Sequence, residues 1–280
     1  LLGRATVLLN IGLMILLAIV PFHSWIPAVA EESSPYASAF VFTVVQAAVM
    51  FFMLKFLNQY DWLRTNPAEF AALRIGGAAL VIVGGAFAFA QRQFGRLMGY
   101  AVMVDLGAAL LAVGLGTADG LRAAMAIVAL RSIGLAVWGL GLGWLKGRGG
   151  ADFDDLAGKA WNMPFAAAAV VLGGLSLAGF PLTAGFAGRW ALYRLLAAED
   201  IGLAFVLLLA SGSVMLAYAR GIAALVRQPA AADNEWPLED QVAIAYLALG
   251  VLLIVALGLF PQLLLPSVTK AVEAFGALVR

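Results

Sequence analysis

Five ionisable side chains stand in or beside long apolar runs of the chain: Arg4, Asp105, Arg131, Arg189 and Arg194. A charge taken into hydrocarbon is expensive, so residues of this kind face a bundle interior or a polar path. Asp105 falls about nine residues into its predicted helix and Arg131 about ten into the next, with a short turn between the two helices. They are thus placed at similar depth on neighbouring helices, in position to form an ion pair. Two chemistries fit. One is a hydrophilic axis that passes protons through ionisable side chains and water. The other is a buried ion pair that fixes helix registry and conducts nothing. Arginine, with a pKa above about 12, releases protons poorly, yet its charge shifts the pKa of its neighbours. Arg189 and Arg194 also fit a reading in which they snorkel to a head-group layer. Gln46, Thr43, Ser176, Thr183, Ser211 and Ser213 offer hydroxyl and amide groups that line a wet path or bridge helices.

Other chemistries are excluded by what the chain lacks. It has one histidine, His23, and no cysteine, which rules out a multi-histidine metal centre, thiolate ligation and disulfides. No catalytic set, cofactor or metal is expected. The net charge of +1 argues against nucleic acid.

The elements that hold these residues follow from solvent. Of the 280 residues 64% are hydrophobic and 12% charged, against about a quarter charged in soluble domains. The apolar residues gather in blocks of about 20, the length a helix needs to cross a bilayer. The fold class is therefore all-α, a polytopic transmembrane helical bundle, with lipid around it. The 31 glycines suit helices that approach closely without a hydrophobic drive between them. Leu1 shows no cleavable signal pattern after it, and the sequence reads as one that starts inside a longer chain.

Eight spans are predicted, at about 5–20, 36–57, 72–91, 97–116, 121–143, 164–196, 201–220 and 241–260. Residues 58–71 read as a polar loop with Asp61, Arg64 and Asn66, and Glu31 and Glu32 precede the second span. A basic turn holds Arg92 and Arg96. Lys146, Arg148, Asp152, Asp154, Asp155 and Lys159 form a charged loop, and Asp233, Asn234, Glu235, Pro237, Glu239 and Asp240 an acidic one. Two intervening helices put the basic turn and the Lys146/Arg148 pair on one side, cytoplasmic by positive-inside counting. Residues 267–280 are predicted to form a short interfacial helix.

The sixth span is too long for one helix. Gly179, Pro181 and Gly185 interrupt it, since proline removes a backbone donor. This reads as a helix over 164–179, a break, and a helical piece over 186–196. Irregular backbone at membrane depth is tolerated only where protein or a cavity satisfies it, so a broken helix hints at an ion path. A plain Gly-Pro interhelical turn is the other reading.

Three segments together resemble one family. Pro21-Phe22-His23-Ser24-Trp25-Ile26-Pro27, followed by Ser38-Ala39, resembles a signature of the antiporter-like membrane subunits of respiratory complex I and the Mrp antiporters. Gln91 to Gly107 resembles the family's basic turn and tyrosine-containing helix, with Tyr100 at the tyrosine. Gly179 to Arg189 resembles its Gly-x-Pro-x-x-x-Gly-Phe-x-x-Lys break. The resemblance implies a fourteen-helix fold with two inverted five-helix repeats, of which this chain resembles the last eight helices with the break near 179–186. Residues 1–57 would end the first repeat, 72–226 would form the second, and 241–280 would be the closing helix and an interfacial segment. It further implies a midplane proton path, with Asp105, Arg131, Arg189 and Gln46 as candidates. Arg131 falls on the lysine of the second repeat's central helix and Arg189 on the lysine or glutamate of the broken one. Asp105 falls on a histidine or glutamine. Leu16 falls on the first-repeat lysine, and the next lysine or histidine falls near Phe42 or Ala48. Pro21, His23, Trp25 and Pro27 are the structural signature.

The function implied is that of a membrane-arm subunit of a complex I-like, proton-translocating NADH:quinone oxidoreductase in the inner (plasma) membrane, beside other membrane subunits. The redox step would lie in those partners, because no nucleotide motif, cluster or haem pocket is present. Two alternatives stay open: a non-pumping structural subunit of the same assembly, and a subunit of an Mrp-type antiporter or a related bicarbonate-uptake complex.

Overall fold

The computed structural model describes residues 2–147, 149–228 and 240–278. Leu1, Arg148 and most of the acidic loop (Asp233, Asn234, Glu235, Pro237 and Glu239) lie outside the described residues. The elements of the described chain are helices, with α1 Leu2–Leu16, α2 Trp25–Glu32, α3 Pro35–Gln59, α4 Pro67–Ala90, α5 Phe94–Gly114, α6 Ala118–Lys146 and α7 Pro164–Ala178. Then come α8 Phe186–Glu199, α9 Ile201–Leu225, α10 Gln241–Leu259 and α11 Leu265–Glu273. Among the described residues six helices (α3, α4, α5, α6, α9 and α10) are long and apolar enough to cross a membrane, while α1 and α7 are shorter apolar helices.

Helix starts are set by capping chemistry that a hydropathy pattern does not show. The loop predicted over 58–71 instead holds a helical turn, Asp61–Arg64, and the first turn of α4. Asn66 Oδ1 accepts from the Ala68 amide at 3.1 Å, with Pro67 at the first helical position, where its missing N–H and fixed φ are no handicap. Gln93 caps α5 through Arg96 N at 2.7 Å, so α5 begins three residues before the predicted 97. Asp200 caps α9 through Gly202 N and Leu203 N, at 3.0 and 3.2 Å. That helix runs on past Arg220 to Leu225. The terminal helix begins at Leu265 and ends at Glu273, not 280. Within α3, residues Val41–Val45 form a π-helical turn, the kind of irregularity found often at functional sites.

α5 is the hub. It is buried along almost its whole length and packs on α2, α4, α6, α7 and α9. Glycine permits the closest approach. A Cβ at Gly107 would sit 2.6 Å from the Gly77 carbonyl oxygen, and one at Gly77 would sit 2.7 Å from that of Gly107. These two helices therefore touch backbone to backbone, which small residues allow in lipid.

The loops also fix sidedness. Gln93 bridges to Asp152, Phe94 N donates to Ala151 O at 3.0 Å and Phe153 N to Arg92 O at 2.8 Å. The basic turn and the loop after Lys146 thus lie on one side of the bundle. Arg96 pairs with Glu31 there at 2.6 Å.

Candidate functional site

Near mid-length of α5, α6 and α3 the side chains of Asp105, Arg131 and Gln46 meet, and the broken-helix arginine Arg189 reaches them from the other flank. Arg189 Nη2 donates to Asp105 Oδ1 at 3.1 Å, and Arg131 Nε lies 3.7 Å from Asp105 Oδ2. Arg131 Nη1 reaches Gln46 Oε1 at 3.5 Å. Arg189 Nη1 donates to Ser211 Oγ at 3.1 Å, and the Tyr193 hydroxyl donates to the same oxygen at 3.0 Å. The result is one continuous polar row, Gln46–Arg131–Asp105–Arg189–Ser211–Tyr193. Arg131, Asp105 and Arg189 are 3%, 4% and 1% exposed.

Its electrostatics are unbalanced. Two guanidiniums face one carboxylate, so one positive charge is left over. Asp105 Oδ2, Arg131 Nε and Nη2, Arg189 Nε and Gln46 Nε2 are buried without a hydrogen-bond partner among the described residues. Buried polar atoms are normally satisfied, and water with two to four polar partners is the usual means.

The break explains how Arg189 arrives. Gly179 ends α7 in the left-handed region at φ +75°, and Phe180 N donates back to Leu175 O at 2.9 Å. This is the hydrogen bonding of a Schellman stop, for which glycine is suited. A Cβ on Gly179 would also meet Arg189 Cγ at 2.5 Å. Arg189 Nη2 donates to the freed Leu177 carbonyl at 2.9 Å. Gly185 N donates to Ser176 Oγ at 3.0 Å, and Thr183 Oγ1 to Phe180 O at 2.6 Å. The interrupted backbone is therefore answered group by group, as burial in a membrane demands. Gly173 packs on Gly134 and Gly188 on Ile127, so α7 and α8 advance in one direction along α6. This is the geometry of a broken helix, not of a turn that reverses the chain.

Other singled-out residues lie elsewhere. Pro181 is exposed at the break. Pro21 leads into the 3-10 turn Phe22–Ser24, which holds His23, and Trp25 and Pro27 lie in α2. α2 packs on the first turns of α5, where a Cβ on Gly99, six residues before Asp105, would meet Pro27 Cα at 2.7 Å, while Pro21 is exposed. Arg4 is exposed on α1, Leu16 is 51% exposed, and Phe42 is buried against the Trp25 ring at 6.3 Å. Arg194 is exposed and lines a cavity of about 580 Å³ between α6, α8 and α11, with Asp119, Arg122 and Thr269. Leu130 and Gly188, next in sequence to Arg131 and Arg189, also line it. Among the described residues no group of three or more His, Asp or Glu is placed to hold a metal. Sequence reasoning missed Tyr193 and the Leu177 carbonyl. Tyr193 carried a signal, since it stands four residues after Arg189 on the same helix face.

Residues 3–217 match the family described as NADH:quinone oxidoreductase/Mrp antiporter, transmembrane. The chain belongs to this family. A relative in Methylococcus capsulatus, an NADH-quinone oxidoreductase subunit N, is 30% identical over 90% of this chain and 52% of its own length. A chain of the Mrp complex from Dietzia sp. DQ12-45-1b superposes with a TM-score of 0.86 at 21% identity, over 99% of this chain and 61% of that one. A chain of respiratory complex I from Thermus thermophilus, with bound aureothin, gives 0.70 at 28% identity, over 92% and 57%. The likeness establishes an all-α, multi-span membrane bundle of the antiporter-like kind. The chain spans about half the length of the curated relatives it matches.

Proposed function

We propose that this chain is part of a membrane-arm subunit of a complex I-like, proton-translocating NADH:quinone oxidoreductase, and that the row from Gln46 to Tyr193 is its share of the proton path. The carrying observation is the row itself, a continuous and only partly hydrogen-bonded line of polar groups, buried from Gln46 to Ser211 and half-buried at Tyr193, through five packed helices and across a broken helix. Membership in the family and the subunit N relatives support the choice of complex. On this reading the spans correspond to the last eight helices of a fourteen-helix fold. Residues 1–57 end one repeat, 72–226 form the next and 241–280 close the subunit. The assembly sits in a bacterial inner membrane, with the redox chemistry in neighbouring subunits.

Chemically, the arginines would act as fixed charges. A guanidinium does not give up its proton at physiological pH, so protons would move through water held on the unpaired N–H groups and on Asp105. The cavity beside Arg194 would feed water toward Arg131 and Arg189 from one side. The test is NADH-driven proton uptake in vesicles holding the assembled complex. Arg131→Ala and Arg189→Ala should each cut proton uptake sharply while assembly survives. Normal pumping by both variants in an intact complex would sink the proposal.

A second reading, a structural subunit that does not pump, is favoured by one observation: Arg189 also holds the Leu177 carbonyl and so braces the break. It predicts loss of assembly in Arg189→Ala with no specific pumping defect. Sodium-dependent proton flux without redox substrate would instead mark an Mrp-type antiporter subunit.

A further inference from the structure

The pole at which α4 and α9 end carries a second charged pocket, remote from the buried row. Arg92, Arg220 and Arg227 line a cavity of about 270 Å³ together with Phe153, Asp154 and Ala223. Asp154 lies 3.6 Å from Arg227, and both side chains are largely exposed. Three guanidiniums against one carboxylate leave two positive charges over. The arginines are staggered in depth. Arg92 and Arg227 stand two residues beyond the ends of α4 and α9, whereas Arg220 lies five residues before the end of α9, roughly 7 Å deeper by helical rise. Arg220 is held in place, since its Nη2 donates to the Phe89 carbonyl and its guanidinium sits 5.0 Å from the centre of the Phe89 ring.

Two observations set this pocket at the head-group level. Trp161 is exposed and donates its indole N–H to Val226 O at 3.1 Å, beside Arg227; tryptophan at a span end marks the membrane–water interface. Beside and below the Arg220 guanidinium the surface turns apolar. Phe89 is exposed, and so is Leu216, one turn from Arg220 on the same face of α9. An anion bound here therefore has cationic groups above and beside it and an apolar floor beneath.

We propose that this pocket binds the phosphate head group of an anionic phospholipid between Arg92, Arg220 and Arg227, with an acyl chain lying along Phe89 and Leu216. The apolar floor distinguishes a lipid from free phosphate. Basic pockets between spans on the cytoplasmic side take anionic head groups in this way.

The experiment places the protein, in the assembly in which it is purified, in nanodiscs of phosphatidylcholine doped with spin-labelled phosphatidylglycerol. Spin-labelled phosphatidylcholine serves as the reference. The wild type should prefer phosphatidylglycerol, and that preference should fall by roughly fivefold for each arginine replaced in Arg220→Gln, Arg227→Gln and their double variant. Arg220→Lys should retain most of it, and Arg122→Gln at the opposite pole should leave it unchanged. Equal affinity for the two lipids, or an unchanged preference in the double variant at unchanged melting temperature, overturns the proposal. Displacement of phosphatidylglycerol by inorganic phosphate at equal concentration overturns the lipid assignment in favour of a free-anion site.

Discussion

Asp105 is the side chain on which the buried row turns, because it is the single carboxylate between two guanidiniums. Asp105→Asn would leave both arginines facing one another with no counter-charge. Removing one partner of a buried ion pair destabilises by about 3–5 kcal/mol. Arg131→Gln should be milder, since it removes the excess charge and leaves the Asp105–Arg189 bond in place. Melting of the detergent-solubilised protein should therefore rank wild type, then Arg131→Gln, then Asp105→Asn; the reverse order of the two variants would show that Asp105 does not hold the cluster together. That these residues are buried together was in part legible, because ionisable groups in apolar runs stand out against their solvent. Their pairing was legible only in part. Adjacency pointed to Arg131 as the partner of Asp105, yet the shorter contact comes from Arg189, 84 residues along the chain. Only the break in the sixth span brings that side chain to mid-depth.

At the scale of the element, apolar blocks announced most helices and capping groups decided where they start. Hydropathy is blind to a hydrogen bond between Asn66 and Ala68, so the start of α4 was hidden while its core was plain. Asp200→Ala removes acceptors for two α9 amides and should lower stability by about 1 kcal/mol, read as a small drop in melting temperature. Gly107→Ala should be worse, about 1–3 kcal/mol, because its methyl would press on the Gly77 carbonyl and the Val81 amide nitrogen, backbone atoms that cannot rotate away. Unchanged stability in that variant would mean that α4 and α5 can separate freely. Lys159 offers a pH test outside the spans. It is buried, and its Nζ donates to Leu145 O at 2.7 Å in the last turn of α6. Burial lowers its pKa from the ordinary lysine value of 10.5, and the Asp155 carboxylate partly offsets this. The unfolded chain then binds more protons in the window just below 10.5, so this residue makes stability rise with pH through that window. In Lys159→Met that slope should vanish from melting curves taken across it.

For the molecule as a whole, the sequence carried the membrane class in its composition and the sidedness in its charged loops. Contacts between the 91–96 turn and residues 151–153 tie those loops to one pole. Because the chain has no cysteine, single cysteines report topology without background. Arg92→Cys and Asp155→Cys should react with an impermeant maleimide from one face, and Thr117→Cys from the other. Labelling of Arg92→Cys and Thr117→Cys from the same face would refute the arrangement. What composition could not convey was the order of packing around α5, since that depends on which glycine meets which. Gly77 against Gly107 and Gly134 against Gly173 look like any other small residues in a one-dimensional string.

The π-helical turn at Val41–Val45 has an implication for how this chain tolerates change in length. A π turn accommodates one residue more than an α turn, and here it stands directly before Gln46, the end member of the polar row. Losing one residue from 41–45 would restore regular α-helix and leave both Pro35–Phe40 and the segment after Gln46 facing as they now do. The same deletion in α5 or α6 would rotate half a helix by about 100° and pull Asp105 or Arg131 out of line. The irregular turn is thus a built-in allowance for a single-codon deletion, placed at one end of the charged row.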